Sequence, residues 1–150
     1  MFKKILLLAF IATIAFCQEG STNINTNLIG LDVANSDLYG SYLVDAKGMS
    51  LYMFENDEDN MSNCYDECAK NWPPLLIQGN KLNLLNASIK EEMVGLSARA
   101  DGTQQVTYNK MPLYLFIKDT NAGDVFGQGM KGSGGLWWLI GVDGKAIKTR

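Results

Sequence analysis

Two carboxylates each follow an aromatic pair at the same spacing, in Tyr52-Met-Phe54-Glu-Asn-Asp57 and again in Tyr114-Leu-Phe116-Ile-Lys-Asp119. Paired carboxylates can perform general acid–base chemistry when their surroundings separate their pKa values. An Asp side chain can equally accept backbone N–H groups and fix the loop that follows a strand. The second role is expected here, with ligand or metal binding by Tyr52, Phe54, Asp57, Tyr114, Phe116 and Asp119 as the alternative, and catalysis is not, because no nucleophile–base pair accompanies the motif. The chain contains no histidine, which removes the usual general base near neutral pH and the commonest metal ligand. No catalytic residue, and hence no enzyme, is expected. The run Asp57-Glu58-Asp59-Asn60 offers oxygen donors to Ca²⁺ but lacks the glycine and distal glutamate of an EF-hand loop, so it reads as a solvated acidic loop.

Cys64 and Cys68 are four residues apart. On a helical turn that spacing places both on one face, within the Cα separation a disulfide tolerates. In an exported chain the pair is expected to be oxidised. Two other readings remain open: a soft-metal site completed by Met61, suited to Cu(I), and a redox-active dithiol. Trp72, Trp137 and Trp138 either pack in the core or form a platform for a sugar, a quinone or another planar ligand. Adjacent tryptophans on a strand point to opposite faces, so Trp137 and Trp138 cannot both join one layer. No cofactor and no bound metal are expected.

The N-terminus carries an address. Met1-Phe-Lys3-Lys4 is a short basic segment, and Ile5 to Phe16 is an apolar run of twelve residues. A bilayer span needs about 20 residues, so the run fits the hydrophobic region of a secretory signal, residues 1–16. It stops at Cys17, followed by polar Gln18-Glu19-Gly20-Ser21. This boundary resembles the lipobox of bacterial lipoproteins, in which the Cys thiol receives diacylglycerol and the leader is cut before it. Several acyl chains on one residue would give durable attachment to the bilayer. Phe16 departs from the small residue usual before that Cys. Gln18, not Asp, favours the outer membrane or cell surface by the same resemblance, with a periplasmic face as the other possibility. Residues 17–38 are expected to form the lipidated Cys and a flexible tether rich in Ser, Thr, Asn and Gly, within which the short Leu28-Ile-Gly-Leu-Asp-Val33 stretch is a candidate for order.

The formal charge is −3, and removing Lys3 and Lys4 takes it to about −5. That balance excludes nucleic acid as a partner, which needs a basic footprint, and excludes adhesion through a polybasic patch. The remaining partners are the bilayer, through acylated Cys17, and an unknown protein or small molecule. The apolar fraction of 47% supports a real core in one domain.

The motif must be positioned by strands. Ser41–Val44 and Met49–Phe54 flank a Gly-containing turn at Asp45–Gly48. Cys64–Asn71 fits one or two helical turns, stopped by Trp72-Pro73-Pro74. Asn86–Val94 reads as a short helix. Asp101-Gly102, Asn109-Lys110 and Asp143-Gly144 mark three further turns between short strands. The expected fold is all-β with minor short helices: a small sandwich or barrel built from two pseudo-repeats, about residues 41–76 and 98–143, within a domain 39–150. Alternation places Tyr52 and Phe54 on one face, with Tyr114 and Phe116 on the corresponding face of the second repeat. Leu51, Met53, Leu113 and Leu115 point the other way. Both faces are apolar, so these strands should be central and covered on both sides.

Together these residues resemble the bacterial lipoproteins called "secreted repeat of unknown function", described by a Tyr-x-(Phe/Trp/Tyr)-x-x-Asp motif. The resemblance covers about residues 41–143. In the first repeat it rests on Tyr52, Phe54, Asp57, Cys64, Cys68 and Trp72-Pro-Pro-Leu75. In the second it rests on Gly95, Arg99, Asp101-Gly102, Gln105–Asn109, Tyr114, Phe116, Asp119, Gly127-Gln-Gly129 and Trp137-Trp138. Lys110 stands where the family has Gly, and there it implies a different turn or local strain. The resemblance implies a short exported lipoprotein domain and no established activity.

Overall fold

The computed structural model describes residues 29–79 and 81–149. Residues 1–16, Cys17 and most of the expected tether lie outside them. Among the described residues, ten strands, one α-helix and one 3₁₀ turn follow in order: β1 (Gly30–Ser36), β2 (Gly40–Asp45), β3 (Tyr52–Phe54), α1 (Glu67–Asn71), β4 (Leu76–Ile77), β5 (Asn83–Leu84), the turn Glu91–Met93, β6 (Val94–Ala98), β7 (Gln104–Tyr108), β8 (Met111–Pro112), β9 (Lys131–Gly132) and β10 (Gly135–Leu139). The all-β expectation holds. The sheets are open, ordered β2-β1-β5, β3-β10-β9 and β4-β7-β6 with β8 on β7, and they do not close into a barrel.

The domain begins earlier than its composition implied. The tether expected over 17–38 gives way at Gly30 to β1, which pairs antiparallel with β2 from Leu31↔Asp45 to Ser36↔Gly40. Leu31 and Val33, two residues apart, carry this strand; Leu31 is fully buried and Val33 packs against the core. The helix expected over Asn86–Val94 is reduced to the 3₁₀ turn. There Asn86 accepts the Ser88 N–H in an Asx turn, and the side chain competes with helical bonding.

Two apolar clusters lie on either side of the central strands. Leu51 and Leu113 join Leu31, Leu43, Val106 and Ile140 in one, with Met53 and Leu115 packed against it. Tyr52, Phe54, Tyr114 and Phe116 join Trp72 and Trp137 in the other. This is the two-face alternation expected from the sequence, and it makes both motif strands central.

The turn Asn109-Lys110 joins Tyr108 to Met111, which pair directly. Asn109 has φ 48° and Lys110 φ 69°. Both central residues are therefore left-handed, as a two-residue hairpin demands, and Lys110 bears the strain that Gly would avoid.

Candidate functional site

The motif strands meet at their tyrosines. Tyr52 and Tyr114 exchange both backbone hydrogen bonds, each N–H donating to the other's carbonyl at 2.9 Å. The outer edge of each motif strand is occupied by the tryptophan segment of the opposite repeat. β10 runs along β3, with Trp137↔Phe54 and Leu139↔Tyr52. Residues 71–75 run along 113–117, where Leu115 N–H donates to the Pro73 carbonyl and Ile117 N–H to that of Asn71. The repeats are thus interleaved, with an approximate two-fold relation passing between Tyr52 and Tyr114.

The side chains follow the same rule. Tyr52 Oη donates to Asp119 Oδ2 at 2.5 Å, and Tyr114 Oη donates to Asp57 Oδ2 at 2.7 Å. The other carboxylate oxygen of each Asp ties down its own loop: Asp57 Oδ1 accepts the Asn63 N–H, and Asp119 Oδ1 accepts the Phe126 N–H. Each Asp is also held in a turn by its own N–H, which donates to the carbonyl three residues back, Phe54 or Phe116. Each motif Asp therefore closes the loop of its own repeat and locks the tyrosine of the other.

The rings are shared in the same way. Phe54 stacks on Trp137 at 4.3 Å, Trp137 on Trp72 at 3.9 Å, and Trp72 on Phe116 at 4.1 Å. Tyr52 meets Trp72 edge-on and Tyr114 meets Trp137 edge-on, the arrangement favoured by ring quadrupoles. Both faces of each central indole are covered, so Trp72 and Trp137 offer no open platform. Trp138 is buried as well, but outside this cluster, on the opposite face from Trp137. The platform reading of the three tryptophans gives way to packing. Gly127 permits this closeness: a Cβ there would stand 2.8 Å from Tyr52 Cζ and 2.9 Å from the Trp72 ring.

Burial shapes the acid–base properties. Desolvation raises Asp57 to about 6, against the lowering influence of the Asn63 N–H, the Tyr114 hydroxyl and the Arg99 charge. Asp119 is also raised, by burial first. Both tyrosines are pushed far above their ordinary range, again by burial first, and so remain hydrogen-bond donors.

One buried network was not legible as a site. Arg99 Nη1 donates to Ser62 Oγ at 2.8 Å and Gln105 Oε1 at 2.7 Å, while Nη2 donates to the Cys64 carbonyl at 2.7 Å. Ser62 Oγ in turn donates to Tyr114 Oη at 2.7 Å, since the tyrosine's own proton goes to Asp57. Gln105 Nε2 reaches the Leu113 carbonyl, and the guanidinium lies over the Tyr65 ring. A buried Arg needs this density of acceptors. The sequence signal was Arg99 itself, a cation within a strand-turn segment of otherwise small residues.

Cys64 and Cys68 form a disulfide with a Cα separation of 5.2 Å. The bond occupies the sulfurs that a Cu(I) site would need, and Met61 stands half-exposed in the acidic loop. The loop's acids diverge: Asp57 turns inward to Tyr114, and Asp59 pairs with Lys110 Nζ at 3.0 Å.

The two interleaved halves coincide with the residues matched by one family model. That model, described as a secreted repeat of unknown function, matches residues 34–76 and 95–140. The chain belongs to this family. Its membership in the secreted-repeat family marks it as an exported protein. Among the described residues no helix is long and apolar enough to cross a membrane. Comparison with curated proteins and with solved structures finds no match.

Proposed function

We propose that this secreted-repeat protein is a lipid-anchored module of the bacterial envelope, held at the outer membrane or cell surface by acylated Cys17 and acting by binding, not by catalysis. The observation that supports this reading is the commitment of the motif's polar groups to one another. The tyrosine hydroxyls and aspartate oxygens that could perform chemistry are buried and bonded across the repeat boundary. A site of that kind builds a rigid body and leaves recognition to the outer surface. The signal-like run before Cys17 supports the anchor.

Metabolic labelling with palmitate, followed by intact-mass measurement of protein extracted from its native membrane, tests the reading. The expected product starts at Cys17, carries acyl chains, lacks two hydrogens for the disulfide, and keeps the same mass on denaturation. Cys17→Ala should be unlabelled and released from the membrane. A lipid-free wild-type mass would contradict the anchor. A component lost on denaturation would point instead to a metal- or cofactor-linked accessory role.

A further inference from the structure

We propose that the end of the domain where the chain enters, around Ile29, Leu76, Leu84 and Leu85, rests against the phospholipid surface that holds Cys17. The inference rests on the acylated-Cys17 reading.

β5 is the edge strand beside β1, with Gly30↔Asn83 and Leu31↔Leu84 in parallel register. Its end exposes Leu84 at 36% and Leu85 at 44%, which flank the strand edge on opposite faces. Edge strands are commonly protected by shortness, charge or proline; this one is two residues long and carries neither charge nor proline in Asn83-Leu84-Leu85. Leu85 lies directly at the entry of the chain: its Cδ1 is 3.4 Å from where a Cβ on Gly30 would stand, as is Cβ of Ala46. Beside it an open cleft of about 460 Å³ has Ile29, Leu75 and Leu76 as its apolar lining and Asp45, Lys47 and Gln78 as its polar one. The cleft has the size of a small-molecule site, but its carboxylate is committed to the backbone. Asp45 Oδ1 already accepts the N–H groups of Lys47 and Met49. An open cleft of mixed lining, with Asp45 already committed, fits a lipid interface, where apolar side chains and headgroup contacts meet, better than a shaped ligand.

The length of the lead-in chain supplies the geometry. Eleven residues, 18–28, separate Cys17 from Ile29. Such a segment reaches at most about 40 Å. The entry end is therefore kept close to the bilayer at high effective concentration, where a modest apolar patch is enough to dock. Lys47 and the exposed Lys81 can extend their ammonium groups toward headgroups while their stems cover apolar surface. The contact needs no polybasic patch, in keeping with the acidic charge of the chain.

The test uses the full acylated chain in vesicles of phosphatidylethanolamine and phosphatidylglycerol. An environment-sensitive fluorophore is placed through Leu85→Cys, or through Lys110→Cys as a control. Lys110 lies in the turn beyond the opposite end of β7 from the Gln104 register of Ile77, about 15 Å away by strand rise. With Cys17 acylated and Cys64–Cys68 oxidised, each variant takes one label. The expected result is a blue-shifted emission at 85, with quenching by aqueous iodide several-fold weaker than at 110. Equal quenching at both positions in protein that floats with the vesicles would overturn the docking face and leave the anchor intact. Protein that does not float would overturn the anchor reading and the docking with it. Protection at 85 that persists without vesicles and grows with protein concentration would mean that a second copy covers the patch, and would also overturn the proposal.

Discussion

The Tyr52 hydroxyl donates to Asp119, 67 residues away, and not to Asp57 of its own motif. The mirror bond joins Tyr114 to Asp57. A six-residue motif thus acts as half of a reciprocal clasp, which explains why it occurs twice and why neither copy could be satisfied alone. Each carboxylate has one oxygen for its own loop and one for the opposite tyrosine, so the conformation of each loop is coupled to the seating of the other repeat.

The acid–base state of the clasp should be visible in stability. Asp57 is raised to about 6 in the folded chain from 3.8, so the native state binds more protons than the unfolded state between these values. Its contribution is fully present below about pH 4 and is lost as pH rises through about 6. The difference amounts to at most about 3 kcal/mol. Asp119 acts in the same direction. Asp101 and Asp124 are lowered, and their opposing loss of stability falls below the ordinary carboxylate range. Chemical denaturation should therefore show higher stability at pH 5 than at pH 7.5, and Asp57→Asn should flatten that slope. A slope of opposite sign would contradict the assignment.

The hairpin at Asn109-Lys110 supplies a stabilising substitution. Lys110 sits at φ 69°, which costs an L-residue about 1–2 kcal/mol. Its exposed pair with Asp59 returns at most about 1 kcal/mol. Lys110→Gly is expected to raise stability by about 0.5–1 kcal/mol after the entropy of glycine in the unfolded chain is allowed for. Lys110→Ala should give no such gain, because it keeps the Cβ. Thermal melts of the two variants check this directly.

Gly127 should be intolerant of the smallest addition. A methyl group there enters the space of Tyr52 and Trp72, and overpacking of a close-packed core costs about 1–3 kcal/mol. Gly102, whose added Cβ would meet nothing, is the control for Ala substitution. It has a positive φ of its own, so the informative readout is the near-ultraviolet circular dichroism of the ring stack. Gly127→Ala should change that signal and Gly102→Ala should leave it alone.

The Cys64–Cys68 bond closes a very short loop. Chain-entropy reasoning gives about 2 kcal/mol for such a loop. Reduction should lower stability by about that amount while leaving the Phe54–Trp137–Trp72–Phe116 stack folded. Global unfolding on reduction at room temperature would show that the bond contributes more than local order.

Much of this organisation was legible in the chain because it is local or periodic. The repeat, the two apolar faces of Leu51–Phe54 and Leu113–Phe116, the cysteine pair and the Asp101-Gly102 turn all follow from spacing. The cross-wiring was not, because spacing within a motif says nothing about which partner lies across a sheet. The tryptophans read as a possible platform because type alone does not reveal that both ring faces are already covered. β1 was legible only as a short stretch of possible order at Leu28–Val33: Asp32, Asn35 and Ser36 lie on a strand whose burial rests mainly on Leu31, so its extent does not show in the composition. The role of Arg99 depends on acceptors drawn from Ser62, Cys64 and Gln105, three separate segments.

The reciprocal clasp is tested most directly by two double-mutant cycles read as equilibrium unfolding free energies. The first combines Tyr52→Phe with Asp119→Asn, and the second combines Tyr52→Phe with Asp57→Asn. The cross-repeat pair should show a coupling of about 1–3 kcal/mol, and the same-motif pair should be additive to within about 0.5 kcal/mol. Strong coupling within the motif, with additivity across the repeats, would contradict the account.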